Sequence, residues 1–139
     1  MSKLTEESLE FARKHIEKFY DSDFFPKTFE FQAIWHCWDE VKSDLLSKNI
    51  GKLSITNPRT LTSKKPKEGF RVVHQLEPID SLIYTALVYS VAEQIEQARV
   101  DINNKVACSY RIKINDGSFF SNNNVFLSFA TQSEELANN

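Results

Sequence analysis

Apolar residues recur at helical spacing over the first third of the chain. Leu9, Ile16, Phe19 and Tyr20 share one side of a first helix, and Arg13, Lys14 and His15 occupy its outer face. Thr5 stands where a side chain caps the first amides, with Leu4 and Leu9 at the two positions of a hydrophobic staple. DSDFFP ends this helix, because the residue before Pro26 is pushed out of the α region. A second helix is expected from about Thr28 to Leu46, with a stripe of Ile34, Trp38, Val41 and Leu45 widened by Phe31 and Trp35. The pattern then changes. KLSI and FRVVHQL have strand composition and TNPR and KKPKEG are turn signals, so two or three short strands joined by a basic loop are expected.

From about Asp80 to Arg99 the spacing is helical again, but no clean polar face appears before EQIEQAR. Ile83, Leu87, Val91 and Ile95 form one stripe and Leu82, Ala86 and Tyr89 a second, with Tyr84, Val88 and Ala92 between them. Asp80 or Ser81 is expected to cap this helix, and Pro78 to stop the strand before it. A helix apolar all round is a buried one, and roughly 20 residues of it span about 30 Å. The sequence therefore predicts that further chain, or a partner, covers it. A strand from Val106 to Ile114, a turn at Asn115-Asp116-Gly117 and a short last helix complete the expected elements. The fold class implied is α+β and helix-rich, a single unit over residues 1–139, with residues 1–48 a helical N-terminal part and residues 49–139 the strand segment and long helix.

Charge sharpens this picture. The net charge of −2 excludes a protein that coats nucleic acid by bulk electrostatics, yet partners feel local fields. Between Pro58 and Arg71 lie Arg59, Lys64, Lys65, Lys67 and Arg71 against Glu68 alone. Arg71, Lys64, Lys65, Lys67 and Arg111 are thus the candidates for nucleotide or template binding. Guanidinium grips phosphate oxygens bidentately, and each lysine contact with a phosphate releases counterions. Each has a plainer reading: Arg71 paired with Glu68 or Glu77, the lysines as a solvated turn, Arg111 tied to an acid on the long helix. His36, Asp39 and Glu40 have no third metal ligand beside them and read as a surface polar cluster. His74 reads as a buried strand histidine with a backbone partner. Phe24-Phe25 and Phe119-Phe120 read as core rather than as base-stacking pairs. Cys37 and Cys108 lack a paired spacing and are expected to be buried, reduced thiols. No catalytic or metal-binding residue is assigned. No run of 18 apolar residues exists to cross a membrane, and MSKLTEESLEFARKH lacks the apolar stretch of a secretion signal, so a cytoplasmic protein is expected.

The order of FRVVHQLEPIDSLIYTALVYSVAEQIE and ACSYRIKINDGSFF resembles the fingers region of bacterial reverse transcriptases. Group II intron and retron-like enzymes carry there a strand arginine, a helix opened by aspartate and bearing Ala-Leu, and then a Ser-Tyr-x-Phe-Arg motif. Arg71 matches the strand arginine, Asp80 the helix-opening aspartate, Ala86 and Leu87 the Ala-Leu pair, and Ser109, Tyr110 and Arg111 the last motif. The segments are similar to those of the divergent bacterial group associated with antiphage defence. The likeness covers about residues 64 to 120. Val72 follows Arg71 where the intron enzymes have proline, and nothing intervenes between Tyr110 and Arg111. The resemblance implies the N-terminal fingers part of an RNA-directed DNA polymerase, with Arg71 facing the incoming nucleotide and RNA template and nucleoside triphosphates as partners. In such enzymes palm aspartates, two of them in a Tyr-x-Asp-Asp turn, hold two Mg²⁺ ions. This sequence has no Asp-Asp pair, so the resemblance implies palm aspartates beyond Asn139, no cofactor in this fragment, and a palm and thumb chain or a partner over the long helix. The alternative is a standalone, non-catalytic RNA-binding or protein-interaction module.

Overall fold

A computed structural model describes residues 3–19, 28–101, 110–120, 131, 133–135, 137 and 138. The elements in order are α1 (Glu6–Phe19), α2 (Glu30–His36), α3 (Trp38–Ser47), a short 3₁₀ turn (Ile50–Lys52), β1 (Arg59–Lys64), β2 (Phe70–Gln75) and α4 (Pro78–Gln97). The fold is α+β, with one two-stranded antiparallel sheet among the described residues. Residues 131, 133–135 and 137 are helical. Tyr20, Phe24, Phe25, Cys108, Ser109 and the first part of the expected Val106–Ile114 strand lie outside the described residues.

The start of α1 forms as its sequence predicts. The Ser8 amide donates to Thr5 Oγ1 at 3.1 Å and the Thr5 amide to Ser8 Oγ at 3.0 Å, so two amides at the helix start are satisfied reciprocally. Leu4 and Leu9 are both buried across this cap. Leu9, Ala12 and Ile16 of α1 then meet Leu82 and Ala86 of α4, Phe31 of α2, and Trp38 and Leu45 of α3 in one core. The α1–α4 contact is the most extensive between helices. Glu10 of α1 also accepts from Trp38 Nε1 and Lys42 Nζ, both at 2.8 Å, which ties α3 to the same helix. Burial alone would raise the Glu10 carboxyl, but the Lys42 and Trp38 hydrogen bonds and the Lys42 and Arg13 charges outweigh it and hold the group below its ordinary range.

Four expectations are corrected. The helix expected from Thr28 to Leu46 is broken at Cys37, where φ is −105° and ψ 33°. Three large rings occupy the break, Phe31 over Trp35 with centroids 5.5 Å apart and Trp35 edge-on to Trp38 at 5.6 Å. Cys37 is free and exposed there, not buried. KLSI is not a strand: Asn49 Oδ1 accepts from the Gly51 amide at 3.0 Å and turns the chain into the 3₁₀ element instead. The strand opposite FRVVHQ is RTLTSK, whose alternating Leu61 and threonines suit a half-exposed ribbon. Finally, α4 opens at Pro78, two residues earlier than expected. Proline at a helix start gives up an amide that has no partner there anyway.

The face of α4 toward α1, with Leu82 and Ala86, is fully buried, whereas Ile79, Tyr84 and Ile95 are exposed. From Asp80 to Ala92 only Tyr84 and Ser90 are exposed, so the described residues cover most of this stretch at least in part, and exposure concentrates in the last turns of the helix. The described part of the expected strand, residues 110–114, joins no ladder. The chain turns at Asn115–Ser118 through an isolated bridge, with Gly117 at φ +69°. This turn sits on α1: Lys14 Nζ reaches Asp116 Oδ1 at 2.7 Å and His15 Nδ1 lies 2.9 Å from the Gly117 carbonyl. A carbonyl only accepts, so Nδ1 carries the proton. The His15 ring packs 4.9 Å from Phe119 and 5.0 Å from Phe19, and burial pushes its pKa below the ordinary value against the opposing pull of the Gly117 hydrogen bond.

Two outcomes follow for urea unfolding. Gly117→Ala combines a positive φ with a Cβ placed 2.8 Å from Lys14 Cβ and 3.1 Å from its backbone carbon, and is expected to cost about 1–3 kcal/mol. Because the folded pKa of His15 is lowered, the unfolded chain takes up the proton first. Its contribution is present above about pH 6.5 and lost as pH falls through the folded value. His15→Asn, which keeps a donor toward Gly117, is expected to flatten the fall in stability as pH drops below about 6.5. The acid limb from Glu10, Glu30, Glu96 and Asp116, all held below their ordinary range, stays in place at lower pH.

Candidate nucleic-acid interface

Strands β1 and β2 pair from Arg59↔Gln75 to Lys64↔Phe70. The loop between them, residues 65–69, is closed by the Lys65 amide donating to the Gly69 carbonyl at 3.0 Å, and Gly69 adopts φ +83°. That conformation strains a residue with a Cβ, which gives the glycine of KKPKEG its place. Among the described elements the two strands pack chiefly on each other, so the ribbon stands off the helical core as an arm. A lone two-stranded ribbon is marginal in water and needs an anchor.

Arg59 supplies the anchor. Its Nε and Nη2 reach Glu77 Oε1 and Oε2 at 2.8 and 2.9 Å, and Nη2 also reaches Glu30 Oε1 at 2.8 Å. One guanidinium therefore joins the root of the arm to the residue ahead of α4 and to the first turn of α2. The fork geometry suits a bidentate pair, and these carboxylates raise the Arg59 pKa further, with Glu77 the larger influence. Asp80 is not a cap. It lies in the first turn of α4, and its Oδ2 accepts from the Thr56 amide at 3.0 Å, fastening the segment that leads into β1. Beside this root lies an open groove of about 620 Å³ with an apolar floor that includes Ile34, Leu45 and Ile83, and Glu30, Glu77 and Asp80 against Lys48 on its polar rim. Its sign is wrong for phosphate.

The predicted binding residues divide between two places. Lys64, Lys65, Lys67 and Arg71 all lie toward the outer end of the arm and are exposed, with Arg71 on the ribbon face away from Lys64. No ion pair is recorded for the three lysines among the described residues. Arg71 stands opposite Ser63, and the carboxylate of Glu77 is engaged by Arg59. Arg111 is elsewhere: its Nε pairs with Glu96 of α4 and its Nη1 donates to the Val100 carbonyl at 2.8 Å. Glu96 also accepts from the Ile112 amide at 2.9 Å and pairs with Arg99, so this carboxylate draws residues 110–112 onto the end of α4. Burial would raise Glu96, but the Ile112 amide and the two arginines prevail and keep it ionised. The arrangement makes Arg111 a tie between segments and leaves Lys64, Lys65, Lys67 and Arg71 as the candidates on the arm.

His74 is exposed, not buried, and its Nδ1 lies 3.1 Å from Thr60 Oγ1 across the ribbon. His36, Asp39 and Glu40 are exposed. Among the described residues no three His, Cys, Asp or Glu side chains come together to hold a metal ion. Sequence reasoning missed the anchoring role of Arg59 and overlooked Phe70. The signal for both was the alternation of RTLTSK, which pairs with FRVVHQ only across a five-residue loop. Glu77→Ala is expected to loosen the arm selectively: amides of β1 and β2 exchange several-fold faster by hydrogen–deuterium exchange, while those of α1 and α4 keep their protection.

Compared with known proteins, the chain matches no protein-family model, no curated protein and no solved structure.

Proposed function

We propose that this chain contacts RNA template and incoming nucleotide as the fingers part of an RNA-directed DNA polymerase. One observation carries the reading: three lysines and Arg71 lie toward the outer end of a ribbon that leads directly into a long apolar helix. Clustered cations on a projecting arm suit a phosphate backbone, where binding is driven by counterion release. Arg71 has the fork geometry to hold a triphosphate. Tyr84 and Ile95, which share one exposed side of α4, are where the palm-bearing chain or a partner would pack. Polymerases of this kind work with two Mg²⁺ ions, but the described carboxylates do not fit them, being spread over the surface or engaged by Arg59, Lys42 and Arg111. No catalytic step is therefore given to this chain.

A standalone RNA-binding or protein-interaction module is the second reading. It is favoured by the closed core of α1, α3 and α4, which needs no further cover around Leu82 and Ala86. Fluorescence anisotropy with single-stranded RNA over a salt series tests the shared part. The triple variant K64A/K65A/K67A is expected to make the log–log salt slope shallower by about 2, three contacts at ~0.7 each. Arg71→Ala separates the two readings. The polymerase reading expects weaker binding of Mg²⁺–deoxynucleoside triphosphate with RNA affinity kept. RNA binding without Arg71-dependent triphosphate binding supports the module. No salt-dependent RNA binding in the wild-type chain overturns both nucleic-acid roles.

A further inference from the structure

The two faces of the arm are unlike. On one, Arg59, Ser63, Val73 and Gln75 are half-buried while Leu61 and Arg71 are exposed, and Arg59 is drawn onto the helical core. On the other, the pairs Thr60↔His74, Thr62↔Val72 and Lys64↔Phe70 are exposed at all six positions. A ribbon face turned to water is normally polar. This one carries Phe70 at 67% exposure and Val72 at 62%. No ring contact is recorded for Phe70 among the described residues, so its ring is not part of the aromatic packing around Phe11, His15 and Phe119.

The neighbours of Phe70 indicate what covers it. Lys64 stands directly across the ribbon, at a spacing of ~5 Å between Cβ atoms, and Lys65 and Lys67 follow in the adjoining loop. An apolar protein surface would have to bury those three ammonium groups or leave a gap beside the ring. A polyanion whose own surface includes flat apolar faces meets both needs. Val72 lies about 7 Å further along the same face, within reach of the next unit of an extended ligand. Single-stranded nucleic acid has this combination, phosphates for the lysines and an open base face for the ring. A duplex keeps its base faces stacked inside.

We infer that Phe70 is a base-stacking residue and that the exposed face of the arm, with Lys64 opposite and Lys65 and Lys67 beside it, binds unpaired nucleotides in preference to duplex. This deepens the proposed function and rests on it: the lysines supply affinity for any strand, and the ring supplies the preference for an unpaired base. Phe70 is a binding residue here, with no catalytic part.

The test uses the 139-residue chain with a fluorescent 12-nucleotide single-stranded RNA and the same sequence as a blunt duplex. Phe70→Leu keeps the residue apolar and removes the aromatic face. It is expected to weaken single-strand binding by about 5- to 100-fold, the loss of one stacked base, with the salt slope and duplex affinity unchanged. Phe70→Trp is expected to restore single-strand binding. If Phe70→Leu binds single strands as the wild type does while K64A/K65A/K67A loses salt-dependent affinity, stacking is overturned and the nucleic-acid reading stands. If neither variant matters, both fail. A loss in Phe70→Leu that Phe70→Trp does not restore, or a dimer of the wild type that Phe70→Leu dissolves, also overturns the inference and makes the face structural or a protein contact.

Discussion

Burial of one side of α1 is the constraint on which the rest depends. Leu9, Ala12 and Ile16 lie in a core reached from α2, α3 and α4. The polar positions flanking that side each fasten another segment. Glu10 holds Trp38 and Lys42 of α3, Glu7 accepts from Tyr89 of α4 at 2.6 Å, and Lys14 and His15 receive the Asn115–Ser118 turn. The exposed pairs among these contribute little on their own. Their effect is to fix which way each element lies once apolar burial has brought it in. The close seat of the Gly117 turn shows how little room this leaves, since even a methyl group there meets the Lys14 backbone.

The arm obeys different physics. It has no core of its own and is held at its root by Arg59, which shares its guanidinium between Glu77 and Glu30. The cations therefore serve two distinct ends of one ribbon. Arg59 is neutralised at the base, where half-burial favours pairing, while Lys64, Lys65 and Lys67 stand in solvent at the tip. A cation held by two carboxylates is a poor phosphate ligand and a good anchor. Arg111, bound to Glu96, belongs with Arg59 in this respect. The same separation explains why a protein of net charge −2 presents a positive end: most acids lie on the helices and at the root of the arm, and the tip loop carries Glu68 alone against its lysines.

Much of this was legible in the sequence. The capped start of α1 could be read from Leu4, Thr5 and Leu9, because capping is local and involves neighbours along the chain. The turn at Asn115-Asp116-Gly117 was readable for the same reason, and so was the concentration of lysines in KKPKEG. The errors share a cause. KLSI and RTLTSK are both plausible strands by composition, and the choice between them was made by the Asn49 turn and by pairing with FRVVHQ. Asp80 looks like a cap in isolation, but it is claimed by an amide 24 residues earlier in the chain. Cys37 and His74 have the composition of buried residues and stand in solvent, one at a helix break and the other on the outer face of the arm.

Sequence alone thus determined the helical start, the apolar stripes of the helices, the turn at Asn115-Asp116-Gly117 and the place where positive charge accumulates. All of these follow from interactions within a few residues or from the period of apolar positions. Tertiary structure decided which strand pairs with which, which of the arginines are spent as anchors, and which face of the ribbon carries Phe70 into solvent. Those outcomes depend on partners brought together from distant parts of the chain. A period-2 pattern defines two faces for a strand, and only packing decides which of them meets water.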